Sequence, residues 1–116
     1  MKYMFLIYTE ENNEAQLTSA ERDTMLAEYF AFSKETRAKG VYVAGDELKP
    51  TATATTLRPR NGQIATTDGP YAETKEQLGG FFILECQNMD EAVGWAAKLP
   101  GARHGSIEVR PVVNFG

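Results

Sequence analysis

Between Asp68 and Phe82 the chain reads DGPYAETKEQLGGFF, which sets an acid on a turn and follows it at once with Glu73, Lys75 and Glu76. Asp-Gly-Pro forms a turn for separate reasons: Asp bonds its own backbone two residues on, Gly accepts positive φ, and Pro fixes φ. The turn chemistry explains Asp68, Gly69 and Pro70 but not the charges behind them. An acid in a poorly solvated place can be tuned toward general acid or base work, and Asp68 is the catalytic candidate because the turn beside Gly69 leaves its surroundings open to a ligand. Further on, Glu108 and Arg110 alternate with Ile107 and Val109, so the two charges share one face of a strand. A guanidinium at Arg110 can clamp a carboxylate through paired hydrogen bonds. Tyr8 can bring a hydroxyl to the same space. Asp68, with Tyr8, Glu73, Lys75, Glu108 and Arg110 as ligand-binding groups, therefore reads as a site for a small polar or anionic molecule. The competing account is structural: Asp68 caps its own turn, Glu73 and Lys75 tie down the segment, and Glu108 pairs with Arg110.

Other reactive residue types carry less. His104 is the sole imidazole, expected in a solvated loop between Arg103 and Gly105, with no spacing that suggests a triad. Cys86 follows Glu85 on an expected buried strand, where free cysteine behaves as a small apolar residue. One His and one Cys cannot furnish a structural zinc set, and the carboxylates lack calcium-loop spacing, so no metal is expected. No cofactor is expected either. Gly79-Gly80 lacks the spacing of a phosphate loop and precedes a strand rather than a helix.

The elements that position these residues follow from local pattern. Lys2 to Thr9 is a first strand, followed by a polar loop. Thr18-Ser19-Ala20-Glu21 is a capping box that opens a helix, with Met25, Leu26, Tyr29, Phe30 and Phe32 at helical spacing and Gly40 at its end. Core packing is the expected role of its aromatics and of Trp95. Val41 to Ala44 reads as a second strand and Leu57 to Ile64 as a hairpin turning on Asn61-Gly62. Gly80 to Gln87 is a third main strand. Asn88 to Glu91 forms a second capping box for a helix carrying Ala92, Val93, Ala96 and Leu99, stopped by Pro100-Gly101. Ser106 to Val113 is the last strand. The order is β-α-β-β-α-β with an inserted hairpin, the plan of an α+β ferredoxin-like antiparallel sheet.

Alternation on this plan has a consequence for assembly. In the first strand Tyr3, Phe5 and Ile7 oppose Met4, Leu6 and Tyr8, and in the third Phe81 and Ile83 oppose Phe82, Leu84 and Cys86, so both sheet faces are apolar. Two helices cover one face. The other is expected to be the surface of a face-to-face homodimer, with Glu108 and Arg110 in a partly wet cavity between the sheets.

With 116 residues, no internal repeat and no linker, the chain is one domain spanning 1–116. A net charge of −4 and the lack of a basic cluster beyond Arg58 and Arg60 argue against direct nucleic-acid contact. No apolar run approaches the ~20 residues of a membrane span. The N-terminal stretch lacks the apolar run and cleavage site of a signal peptide. A single cysteine gives no sign of an oxidising compartment, so a cytoplasmic location is expected.

The segment DGPYAETKEQLGGF resembles the signature of the DGPF-motif branch of the YCII-related family, with Tyr71 where Phe is usual. MKYMFLIY, EAVGWAAKLPG and IEVRP stand in the family's order, so the resemblance covers nearly the whole chain. It implies a ferredoxin-like α+β fold dimerising through its sheets, as in dimeric α+β barrels, and a largely uncharacterised activity. A His with an acidic partner has been suggested as the active pair in the wider family. Here Leu26 to Thr36 contains no His, and Glu28 and Tyr29 stand in that neighbourhood. Two functions are expected from different classes. One is a small enzyme without a cofactor, performing acid/base chemistry in a dimer cavity. The other is a regulatory or binding module, since some DGPF-type proteins are associated with extracytoplasmic-function sigma factors.

Overall fold

The computed structural model describes residues 1–116. Strand β1 (Lys2–Thr9) is followed by a short helix α1 (Glu11–Glu14) and a long helix α2 (Ser19–Ala38). Next come β2 (Tyr42–Glu47), a 3-10 turn at Thr51–Thr53, β3 (Thr55–Arg60) and β4 (Gln63–Asp68). The chain ends with β5 (Gln77–Glu85), α3 (Met89–Ala96), a short helix α4 (Gly101–His104) and β6 (Gly105–Pro111). Four strands form one antiparallel sheet in the order β2-β5-β1-β6, and β3 and β4 pair apart from it. The architecture is α+β and compatible with a ferredoxin-like fold.

Local chemistry accounts for the helix starts. Thr18 accepts the Glu21 amide at 3.1 Å and the Glu21 carboxylate accepts the Thr18 amide at 3.0 Å, the reciprocal capping box expected from the sequence. At the second helix only half of the expected box forms. Asn88 accepts the Glu91 amide at 2.9 Å, while the Glu91 carboxylate reaches one residue further back, to the Gln87 amide at 3.3 Å. An extended Asn88 backbone puts that earlier amide within reach.

Several boundaries differ from expectation. β2 begins at Tyr42 and runs on to Glu47, because β5 continues to offer backbone partners there. The hairpin is longer, from Thr55 to Asp68, so Asp68 ends a strand; Asn61 at φ 52° and Gly62 at φ 77° make its primed turn. The loop after β1 contains α1, and α3 ends at Ala96, before Pro100. His104 is the last residue of α4, not a loop residue, and Arg103 anchors that helix to α2 by a 2.6 Å ion pair with Glu28.

The core lies between one sheet face and the helices. Tyr3, Phe5 and Ile7 of β1 and Phe82 and Leu84 of β5 meet Phe32 of α2, Ala92 and Ala96 of α3, and Leu99. Burying each large apolar side chain contributes roughly 1.5–3 kcal/mol. Phe82 is the hub: its ring stacks with Tyr29 and meets Phe32 and Tyr42 edge-on. Trp95 packs edge-on against Phe32, as expected of a core aromatic. Phe30 does not; it is 72% exposed. On the opposite sheet face Met4, Leu6, Tyr8, Phe81 and Ile83 are half-buried with no helix above them. No helix is long and apolar enough to cross a membrane.

Candidate functional site

The residues singled out from sequence fall into two groups. Tyr8, Glu108 and Arg110 lie on the uncovered sheet face, with Ser106 opposite Tyr8, Glu108 opposite Leu6 and Arg110 opposite Met4. Glu108 and Arg110 are exposed and form no ion pair in the chain. Asp68, Glu73 and Lys75 belong to the signature segment, all exposed and without side-chain hydrogen bonds. Lys75 borders a polar recess of about 320 Å³ with Glu10, Glu11, Asn12, Thr74 and Gln77. One contact joins the groups: the Ser106 hydroxyl donates to the Glu76 carboxylate at 2.8 Å.

The signature is held mainly through its backbone, and the side chains of Asp68, Glu73 and Lys75 take no part in the hydrogen bonds that hold it. The Gly69 amide donates to the Ala54 carbonyl at 2.7 Å with φ at 108°, a conformation that favours glycine. The Gly69 carbonyl accepts the Thr56 hydroxyl at 2.8 Å, and the Tyr71 carbonyl accepts Arg58 at 2.8 Å. Gln77 then turns the segment into β5, donating to the Thr74 carbonyl at 2.6 Å and accepting the Glu11 amide at 2.9 Å.

A larger cavity, of about 760 Å³, lies elsewhere, on the helix side of the sheet. Its floor is Ile7 and Thr9 of β1 with Gly79, Gly80 and Phe82 of β5. Its roof is the first half of α2, from Arg22 through Met25, Leu26, Tyr29 and Phe30 to Ser33. The walls are Glu11 to Leu17 on one side and Gly45 to Pro50 on the other. The apolar stripe of α2 is thus divided: Phe32 and Thr36 enter the core, whereas Met25, Leu26, Tyr29 and Phe30 line the cavity.

Polar contacts brace its rim. The buried Thr9 hydroxyl donates to Glu14 at 2.7 Å. Glu11 accepts both the amide and the hydroxyl of Thr51, each at 2.8 Å, which ties α1 to the segment after β2. Tyr29 presents the one strongly shifted group. Burial, and after it the negative field of Glu14, pushes its hydroxyl up to about 12; Glu47 and Glu28 add to this, and the Gly101 backbone partly offsets it. A phenol in that state stays protonated and serves as a fixed hydrogen-bond donor or acceptor rather than as a base. No cluster of His, Cys, Asp and Glu is arranged to hold a metal ion.

Sequence reasoning missed this cavity. Its signal was present in the Met25, Leu26, Tyr29, Phe30 cluster, which together with Phe32 makes a stripe wider than one packed helix face needs. The acids Glu11, Glu14 and Glu47 gave no signal, because the short helix α1 and the distant end of β2 bring them together.

The chain is 36% identical over 117 residues to an uncharacterised protein of Rhizobium meliloti (strain 1021), a match that covers 99% of this chain and 94% of that protein. The model of the YCII-related domain matches residues 1–116. The chain that carries this cavity and this signature belongs to the YCII-related family.

Proposed function

We propose that this protein binds a small organic molecule with an apolar body and a polar end, and that it does so as a homodimer. The observation that carries the reading is the 760 Å³ cavity, whose size falls in the roughly 300–1,000 Å³ range of ligand sites. Apolar side chains of α2 and the sheet would take the body of the ligand. The protonated Tyr29 hydroxyl, Ser33 and Arg22 offer hydrogen bonds to its polar end. The helix-side cavity is preferred to the uncovered sheet face because it converges, whereas Asp68 ends β4, Glu108 and Arg110 lie on β6, and no ion pair joins them. The uncovered face, with Met4, Leu6, Phe81 and Ile83, is the surface through which two copies would meet.

The test is a thermal-shift screen against aromatic and aliphatic carboxylates, lactones and amines, on wild type, Met25→Trp and Asp68→Asn. The expected hit stabilises wild type and Asp68→Asn by several degrees but not Met25→Trp, whose indole fills the cavity. A hit lost only in Asp68→Asn would move the site to the signature. No hit in the library would overturn the reading. Turnover of a hit would assign cofactor-independent acid/base catalysis, and co-purification of a sigma factor from native cells would assign the regulatory role instead.

A further inference from the structure

We propose that the β3–β4 hairpin is an arm that lies on a second copy of this chain, burying Leu57, Pro59 and Ile64 against it; the inference rests on the homodimer reading above. Pairing of Leu57 with Thr66 and of Pro59 with Ile64 puts these side chains on one face of the hairpin. Thr56, Arg58, Arg60 and Gln63 occupy the other. That polar face is turned toward the chain's own signature loop, where Thr56 bonds the Gly69 carbonyl and Arg58 the Tyr71 carbonyl. The apolar face therefore looks outward, with Leu57 55% and Ile64 70% exposed. An amphipathic hairpin with its apolar face in water has no reason to persist, and a two-stranded hairpin alone is marginal.

Three further observations identify the occupant as a second copy. The accessible surface is 8222 Å², whereas a compact monomer of this mass exposes about 6,300 Å². The excess, roughly 1,900 Å², exceeds the ~800 Å² that each partner buries in a standard interface and suits an obligate homodimer. The radius of gyration, 16.2 Å, likewise exceeds the ~13 Å of a compact chain of this length. Charge agrees: the hairpin carries Arg58 and Arg60 against Asp68 alone and is net positive, in a chain whose net charge is −4. An arm of opposite sign to the rest of the molecule is drawn to another copy of it and offsets the repulsion between two acidic bodies. Pro59 removes a donor from the β3 backbone, and the two arginines flank it, which disfavours strand addition and leaves face packing as the mode of contact. Twofold symmetry makes the exchange reciprocal, so each substitution acts twice.

Sedimentation equilibrium on wild type and Leu57→Ser/Ile64→Ser tests the arm, with circular dichroism to verify that the variant keeps its secondary structure. The dimer dissociation constant is expected to rise at least about tenfold. A benzophenone side chain at Thr66, in an otherwise wild-type chain, is expected to give covalent dimers on irradiation. A dimer whose dissociation constant is unchanged by the double substitution, or that gives only cross-links within one chain, would overturn the arm and leave the homodimer standing. A wild type that is monomeric at 100 µM, a concentration of order ten times that of ordinary assays, would overturn both.

Discussion

Gly45 of β2 lies directly against the ring of Phe82 in β5: a Cβ added at Gly45 would come within 2.5 Å of a ring carbon. The ring is at once the hub of the aromatic core and part of the cavity floor, so this glycine sets the shape of both. Gly45→Ala is expected to push Phe82 from its place and to destabilise the fold by about 1–3 kcal/mol. Urea unfolding of the variant and wild type measures the difference. An equal midpoint would show that the ring moves freely and that the cavity is not held by it.

Tyr29 predicts an alkaline loss of stability. Its hydroxyl is raised to about 12 in the folded state, above its ordinary value near 10, so the folded protein retains a proton that the unfolded chain releases. The resulting stabilisation is complete below about pH 10 and is lost as pH rises toward 12. Tyr29→Phe should therefore show a shallower decline of stability than wild type across that window. Parallel pH profiles from the two proteins would refute the assignment.

The N-cap of α2 makes a separate contribution. Thr18→Ala removes the acceptor for the Glu21 amide and is expected to cost about 1 kcal/mol. Hydrogen bonds from the Thr18 backbone first, and from its side chain second, hold the Glu21 carboxyl below its ordinary value. That part of the stability is present above the ordinary carboxylate range and disappears on acidification through the folded value. Glu21→Gln should flatten the acid limb of the stability profile, measured by thermal melts from pH 6 downward.

Cys86 is expected to be inert in the folded protein. The residue is buried, and burial, followed by the charge of Glu91, raises its thiol. A disulfide reagent at pH 8 should label it much more slowly in buffer than in concentrated urea, as followed by absorbance. Equal rates would mean that the strand end carrying Cys86 opens readily.

The elements of this fold were legible wherever one short segment carries its own signal. β1 was read to its observed bounds because eight successive side chains alternate on two apolar faces. The start of α2 was read from Thr18 and Glu21, and the hairpin turn from Asn61-Gly62, since capping and primed turns depend on residues within three positions of one another. Boundaries were less legible where a neighbour decides them. β2 runs to Glu47 because β5 lies alongside, and the Glu91 carboxylate chose the Gln87 amide because of the local path of the backbone.

For the site the division is sharper. Composition and spacing alone determined that the chain has a charged signature beside an apolar strand, and strand alternation put Glu108 and Arg110 on the face opposite Ile107 and Val109. Only the tertiary structure decided that Asp68 and Arg110 form no ion pair, that Thr9 meets Glu14, and that Tyr29 shares a cavity with Gly45 and Phe82. The physical reason is range. Alternation and capping are properties of one stretch of backbone, whereas convergence depends on sheet order and on how a helix packs across it, which residues far apart in sequence settle together.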